Sequence, residues 1–145
     1  MLKLLLIHYT RYMLLVKTKL GTSGIHGMGL FADQFIPKGT PTWRYTPWFD
    51  IAFSEEQMKE MSESARKQIM HYHYFDQKTQ KYILCSDDQR FINHANDPIK
   101  RNIESTPNED MAIRDIKPGE ELLCDYNKFD DTYFNRIGFD KESLI

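Results

Sequence analysis

Two cysteines, Cys85 and Cys124, are all that the 145 residues contain. That is too few for a disulfide framework, and it fits a reducing compartment. No apolar run approaches the ~20 residues of a membrane span. The opening stretch, Met1-Leu2-Lys3-Leu4-Leu5-Leu6-Ile7, is apolar only briefly and lacks the length and cleavage site of a signal peptide. We therefore expect a cytoplasmic protein with no membrane partner. Charge of one sign is missing too. Lys and Arg number 19 against 21 Asp and Glu, a net charge of −2 with both signs mixed along the chain. This excludes the basic stripe of a direct nucleic-acid binder. No G-x-S-x-G elbow and no P-loop occurs, so hydrolysis and phosphoryl transfer have no support. No C-x-x-C or H-x-x-x-H pair occurs either. His71 and His73, at the spacing of one strand face, are expected to be structural, and no metal is predicted.

Aromatic residues are what the chain has in quantity, 13% of it, eight of them tyrosines. Tyrosine joins apolar bulk to a hydroxyl, which suits the lining of a pocket or narrow channel, and it also fills strands well. A chain of this length, 41% hydrophobic and 28% charged, has the size and balance of one domain with a single modest core.

Alternation and turn residues predict mainly β structure with short helices. Met13 to Leu20 alternates partly and reads as a strand. Four glycines from Gly21 to Gly29 predict a loop. Leu30-Phe31-Ala32 resumes a strand that ends in a turn at Pro37-Lys38-Gly39, and Thr40 to Tyr45 is rich in β formers. Ser54-Glu55-Glu56-Gln57 has capping-box spacing, and Met58, Met61, Ala65 and Ile69 recur at helical spacing, so one helix is expected to about His71. Tyr72 to Phe75 and Lys81 to Cys85 form a hairpin, as do Asn102-Ile103-Glu104 and Met111-Ala112-Ile113 about Pro107-Asn108. Gly119 to Tyr126 gives the last strand. Asp131 is expected to cap a short helix with Gly138 at its C′ position. Ala32 to Gly39 (Ala-Asp-Gln-Phe-Ile-Pro-Lys-Gly) echoes Ala112 to Gly119 (Ala-Ile-Arg-Asp-Ile-Lys-Pro-Gly), which suggests two similar strand-turn-strand units.

Three motifs bear on chemistry. Gly27-Met28-Gly29-Leu30-Phe31-Ala32 fits the dinucleotide fingerprint G-x-G-x-x-A, but that site needs a helix opening at the second glycine, and Pro37 arrives too soon. What survives is that glycines let backbone approach a ligand closely. Arg90-Phe91-Ile92-Asn93-His94 sets an amide and an imidazole beside an apolar pair, at the edge of a cleft or in a plain turn before Asp97-Pro98. Gly119-Glu120-Glu121-Leu122-Leu123-Cys124-Asp125-Tyr126 follows. In this order the three resemble the SET-domain protein lysine methyltransferases. Ser23 to Ala32, with Ile36 and Gly39 behind it, resembles that family's first motif. The other two resemble its R-F-x-N-H and G-E-E-L-x-x-D-Y motifs. Trp43-Arg44-Tyr45 and the small size are similar to stand-alone bacterial or viral members.

The resemblance implies a β-clip of small curved sheets with a knot-like C-terminal crossing. It places the SET domain at residues 13–128, an N-terminal extension at 1–12 and a short helical segment at 129–145. It implies S-adenosyl-L-methionine as methyl donor, S-adenosyl-L-homocysteine as its product, and a lysine-bearing protein as substrate. The backbone of Gly27, Met28 and Gly29 would hold the donor's methionine part. The Asn93 side chain and His94 backbone would hold its amino-acid and adenine groups, with Tyr74, Arg90 and Phe129 beside them. Tyr126 would touch the donor and be the catalytic tyrosine. Tyr45 would add a second hydroxyl to the lysine channel, flanked by Tyr72 or Tyr74.

The chain departs from the family pattern in three places. Ala95-Asn96 replaces Ser-Cys, and Ile99 replaces Asn, in the loop of the crossing. The cysteine-rich zinc segment is absent, so Phe129, Tyr133, Phe134 and Phe139 either pack over the donor or simply cover the core. Cys124 stands where members carry Phe or Tyr and tune the number of methyls, so more than one methyl is expected. Such a site must hold donor and amine in line and favour loss of the ammonium proton, which a narrow apolar channel does by desolvation. The rival is a non-catalytic SET-like module that binds peptide or S-adenosyl-L-methionine without turnover. A monomer and a homodimer both fit, the latter through a strand added by Leu2 to Ile7.

Overall fold

The computed structural model describes residues 13–140 and 142. The expected extension at 1–12, with its added strand, lies outside them. The described residues form four small sheets and three short helices. In the largest sheet, β1 (Met13–Leu14) pairs with β4 (Pro41–Arg44), which pairs with β10 (Glu109–Ala112), which pairs with β9 (Ile103–Ser105), all antiparallel. A hairpin joins β2 (Thr18–Thr22) to β3 (Met28–Ala32). A third sheet has β7 (Lys81–Leu84) between β5 (Ile51–Phe53) and β6 (Tyr74–Asp76). The fourth is a parallel pair, β8 (Asn93–His94) with β11 (Leu123–Cys124).

The sequence echo is a structural one. Ile36 and Ile116 exchange both backbone hydrogen bonds at 2.9 Å. The Gly39 N–H donates to Ala112 O at 2.7 Å, and the Gly119 N–H donates to Ala32 O at 2.8 Å. Each turn thus caps the strand that leads into the other turn. Both glycines have positive φ, 83° and 88°, which side-chain-bearing residues rarely adopt. Ile36 and Ile116 meet Leu30, Ile103 and Leu122 in one enclosed core, where the apolar faces of the small sheets converge.

The crossing is built from hydrogen bonds. The Ala95 N–H donates to Cys124 O at 3.1 Å, and the Asn102 N–H donates to Leu123 O at 3.0 Å. Residues 95–102 therefore flank β11 on both sides. Arg101 closes that loop, donating to Ala95 O at 2.8 Å, Asn96 O at 3.1 Å and Asp125 Oδ2 at 2.6 Å. The Asn102 amide straddles the passing chain, donating to Glu121 O at 2.7 Å and accepting from the Leu123 N–H at 2.8 Å.

Several expected elements differ. Met13 to Leu20 is two strands in two sheets, because the Leu15 N–H bonds Thr42 O while the Lys17 N–H turns to Gln34 Oε1. The loop from Gly21 to Gly29 is largely hairpin, with Gly21 opposite Gly29. The Ser54–Gln57 capping box is present, with bonds of 3.2 and 2.8 Å, and Met58 is buried behind it. The helix splits, however. α1 (Glu55–Glu60) ends, and Ser62 Oγ accepts from the Ala65 N–H to start α2 (Glu63–Tyr72). A second hydroxyl cap outweighs continued helical spacing there. Tyr72 is therefore helical and His73 caps the helix end. The last strand shrinks to two residues, because Asp125 accepts from the Asn127 N–H and opens a 3-10 turn, Tyr126–Lys128. α3 (Tyr133–Ile137) starts after Asp130, whose carbonyl receives the Tyr133 N–H, rather than at a capping Asp131. Gly138 ends it at φ 68°, as expected. Strand β5 has no counterpart in the sequence reading. No described helix is long and apolar enough to cross a membrane.

Candidate active site

The parallel pair and the β2–β3 hairpin bring the three motifs together. Asn93 leaves β8 with its Nδ2 donating to His26 O at 3.1 Å, Met28 O at 2.9 Å and Glu121 Oε1 at 3.1 Å. One amide thus ties the first motif to the third. His94 is buried beside it. Its Nδ1 accepts from the Tyr126 N–H at 3.1 Å, which puts the ring proton on Nε2, facing Asn96 Oδ1 at 3.0 Å. That bond fixes the start of the 3-10 turn and hence the aim of Tyr126.

The Tyr126 hydroxyl donates to the backbone oxygen of Ile92. Its ring stacks on Phe134 with centroids 5.7 Å apart and meets Tyr133 edge-on at 5.1 Å. Burial, then the nearby Cys124 and Tyr133, push the phenol well above its ordinary value, so it stays protonated near neutrality. Helix α3, which carries Tyr133 and Phe134, is pinned from below. Arg136 forks onto Asp130 Oδ1 at 3.1 Å and Oδ2 at 2.5 Å and donates to His73 Nε2 at 2.9 Å. Asp130 also receives the Phe75 N–H at 2.8 Å.

Two cavities meet at Tyr126. The wider, about 360 Å³, lies between Gly27, Met28, Asn93 and His94 on one side and Phe134 and Phe139 on the other. The narrower, about 50 Å³, runs inward between Tyr72, Tyr74 and Tyr126 to Trp43, Ser105 and Asp110. His71, Tyr72, Arg90, Ile92, Tyr126 and Tyr133 line both. Of the residues expected from the sequence, Gly27, Met28, Arg90, Asn93, His94 and Tyr126 line the wide cleft. Tyr74 and Phe129 line the narrow cavity alone, and Tyr72 lines both. The Tyr74 hydroxyl donates to Pro107 O at 2.7 Å, and burial raises its phenol. Gly29 is buried under the cleft against Glu121. Tyr45 and Cys124 line neither cavity. Tyr45 follows β4, its phenol raised by burial and then by Asp50, and Cys124 is fully enclosed in the core. Among the described residues no group of three or more His, Cys, Asp or Glu is placed to hold a metal.

Sequence reasoning passed over the inner end of the narrow cavity, Trp43, Gln89, Ser105 and Asp110. One signal was available. Asp110 stands two residues before the inward Ala112, so strand alternation points this acid at the core.

Small sheets, a strand flanked on both sides by one Arg101-tied loop and a cleft meeting a tyrosine-lined cavity define the class. The SET-domain family model matches residues 27–127, and the chain belongs to that family, whose members are generally protein lysine methyltransferases. Similar solved structures are Polycomb Repressive Complex 2 assemblies. One is a humanized mutant of the Chaetomium thermophilum complex bound to an inhibitor, at 25% identity and TM-score 0.57, over 79% of this chain and 15% of that one. Another is in an autoinhibited conformation bound to S-adenosylmethionine, also at 25% and 0.57, over 79% and 16%. A third is an active complex in the basal state, at 26% and 0.56, over 77% and 15%. The present chain thus spans only a small part of those chains' length. Comparison with curated proteins gives no match.

Proposed function

We propose that this chain transfers a methyl group from S-adenosyl-L-methionine to the side-chain amine of a lysine in a protein substrate. The observation that carries this reading is the meeting of a roomy cleft and a narrow aromatic cavity at one buried tyrosine, Tyr126. The cleft has the volume of a small-molecule site. Its fit to the donor rests on Asn93. With Nδ2 committed to protein oxygens, Oδ1 is turned over to accept from the donor's ammonium, beside the carbonyl oxygens of His26 and Met28. Phe134, Phe139 and the face of His94 supply flat surface for an adenine. When bound, S-adenosyl-L-methionine supplies a methyl group on a positively charged sulfur.

The chain's own residues hold the amine. Because the Tyr126 hydroxyl proton is given to Ile92 O, the phenol oxygen offers its lone pairs to an amine N–H and aims the nitrogen. The protonated phenol is an orienting group rather than a base. Tyr72 and Tyr74 strip water from the incoming side chain, which favours its neutral form. Cys124 lies behind this wall, beside Ser105, where a thiol takes less room than a ring, and Tyr45, which lines neither cavity, is assigned no contact with the amine. Residues 13–128 make up the transferring domain, and the described part of the segment that follows, 129–140, supplies the wall that carries Phe134 and Phe139.

The test is incubation with S-adenosyl-L-methionine carrying a labelled methyl and a panel of lysine-rich proteins, read by mass spectrometry. Lysine methylation by the wild type, lost in Tyr126→Phe while donor binding persists, supports the reading. Unchanged transfer by Tyr126→Phe contradicts it.

A further inference from the structure

The narrow cavity contains a carboxylate that methyl transfer, as described, leaves unused. Asp110 comes off β10 at 2% exposure, and the Gln89 amide donates to its Oδ2. Among the described residues no Lys, Arg or His forms an ion pair with it. The cavity's other acid, Asp130, is taken by Arg136, and Arg90, the cation on the same wall, lies over the Phe91 ring at 5.3 Å. A buried acid without a cation is costly, and burial, opposed by Ser105 and Gln89 and aided by the adjoining Glu109, pushes Asp110 up to about 7.

Three more buried polar atoms on the same wall have no hydrogen-bond partner among the described residues: Ser105 Oγ, Trp43 Nε1 and Arg90 Nε, of which only the Ser105 oxygen can accept. Ser105 Oγ lies close enough to Asp110 to ease its ionisation without forming a hydrogen bond of proper geometry. The approach to this acid is lined by the rings of Trp43, Tyr72, Tyr74 and Tyr126. A carboxylate with a spare oxygen, a free hydroxyl and a sleeve of aromatic faces is the chemistry that takes an alkylammonium group.

We propose that Asp110, with Ser105 Oγ as second acceptor, receives the positively charged nitrogen of the substrate side chain within the narrow cavity. This rests on the reading of lysine as the methyl acceptor. The carboxylate draws the charged side chain into the cavity, ahead of the loss of its proton that methyl transfer requires.

The probe is n-butylammonium chloride, titrated by calorimetry into the wild type and Asp110→Asn at pH 8 and pH 5. The expected result is saturable binding that weakens at least tenfold in the wild type at pH 5, where Asp110 is protonated. In Asp110→Asn, binding is at least tenfold weaker at pH 8. Cys85, Cys124, Tyr126 and Glu109 also face Asp110, and His71 lines the cavity, so pH dependence that persists in the variant belongs to these groups. No binding to the wild type, or equal binding to the variant, overturns the proposal. Should the variant not fold, carbon-13 NMR of the Asp110 carboxyl in the wild type decides. The probe must lower its titration midpoint by about one unit, the equivalent of tenfold tighter binding to the ionised form; an unmoved midpoint overturns the proposal. A parallel titration with S-adenosyl-L-methionine separates the two readings. Donor binding without probe binding sinks only the Asp110 site. Probe binding without donor binding sinks methyl transfer and leaves the site standing.

Discussion

Gly29 and Glu121 occupy each other's space: a Cβ on Gly29 would fall 2.2 Å from Glu121 Oε1 and 2.9 Å from its Cδ. That same oxygen accepts from Asn93, so the missing side chain at Gly29 lets the third motif reach the second. Gly29→Ala is expected to push the carboxylate away, disturb Asn93 and weaken S-adenosyl-L-methionine binding about tenfold, the loss of one good hydrogen bond. In a Glu121→Ala background the same substitution should cost much less. Additive effects across the four proteins of this double-mutant cycle would show that the two residues are not coupled.

Arg101 binds the 95–102 loop to Asp125, directly after β11. Arg101→Ala leaves Asp125 largely buried without its cation and frees two carbonyls, so a loss of ~2–4 kcal/mol in denaturant unfolding is expected. A loss below about 1 kcal/mol would mean the loop is held by backbone pairing alone.

Two buried groups pull stability in opposite directions with pH. Burial, then Arg136, lowers His73 to about 4 from 6.5, so its contribution is complete above pH 6.5 and is lost as pH falls through 4. Asp110, raised to about 7 from 3.8, contributes fully below pH 3.8 and loses its contribution as pH rises through 7. Between pH 4 and 6.5 they offset one another. Asp110→Asn should therefore lose Tm on acidification more steeply than the wild type, and His73→Gln less steeply. Parallel Tm profiles for all three would contradict these assignments.

Cys124 has no exposed surface. Cys124→Tyr must displace core neighbours and is expected to cost ~1–3 kcal/mol, whereas Cys124→Ala should cost less. If the enclosed thiol sets the room for added methyls, the wild type yields di- or trimethyl-lysine. Monomethyl product alone, from both wild type and Cys124→Tyr, would refute that role.

The parts legible in the sequence were those written in local chemistry. Gly39 and Gly119 announced their turns, Ser54 and Gln57 their cap, and Gly138 its helix end. The three motifs, taken in order, led to the cleft because each supplies backbone or a side chain to the same few ångströms around Asn93. What escaped depends on partners distant in sequence. Met13 to Leu20 alternates like one strand, yet Thr42 and Gln34 draw its two halves into different sheets. The Met61-Ser62 break competes with a helical pattern that continues on both sides of it. Asp110 is buried by β4, β9 and Gln89, which only the fold brings around it. Burial of a charge is settled by tertiary packing and leaves only a faint periodic trace.

The most direct measurement is calorimetric titration of the purified protein with S-adenosyl-L-methionine and S-adenosyl-L-homocysteine, beside Asn93→Ala. The proposed donor site predicts saturable binding of both by the wild type and loss of at least tenfold in affinity in the variant, since in that proposal Asn93 accepts from the donor's ammonium while its Nδ2 fixes the His26 and Met28 carbonyls. Absence of binding to the wild type, or undiminished binding to Asn93→Ala, would contradict the account of the donor site.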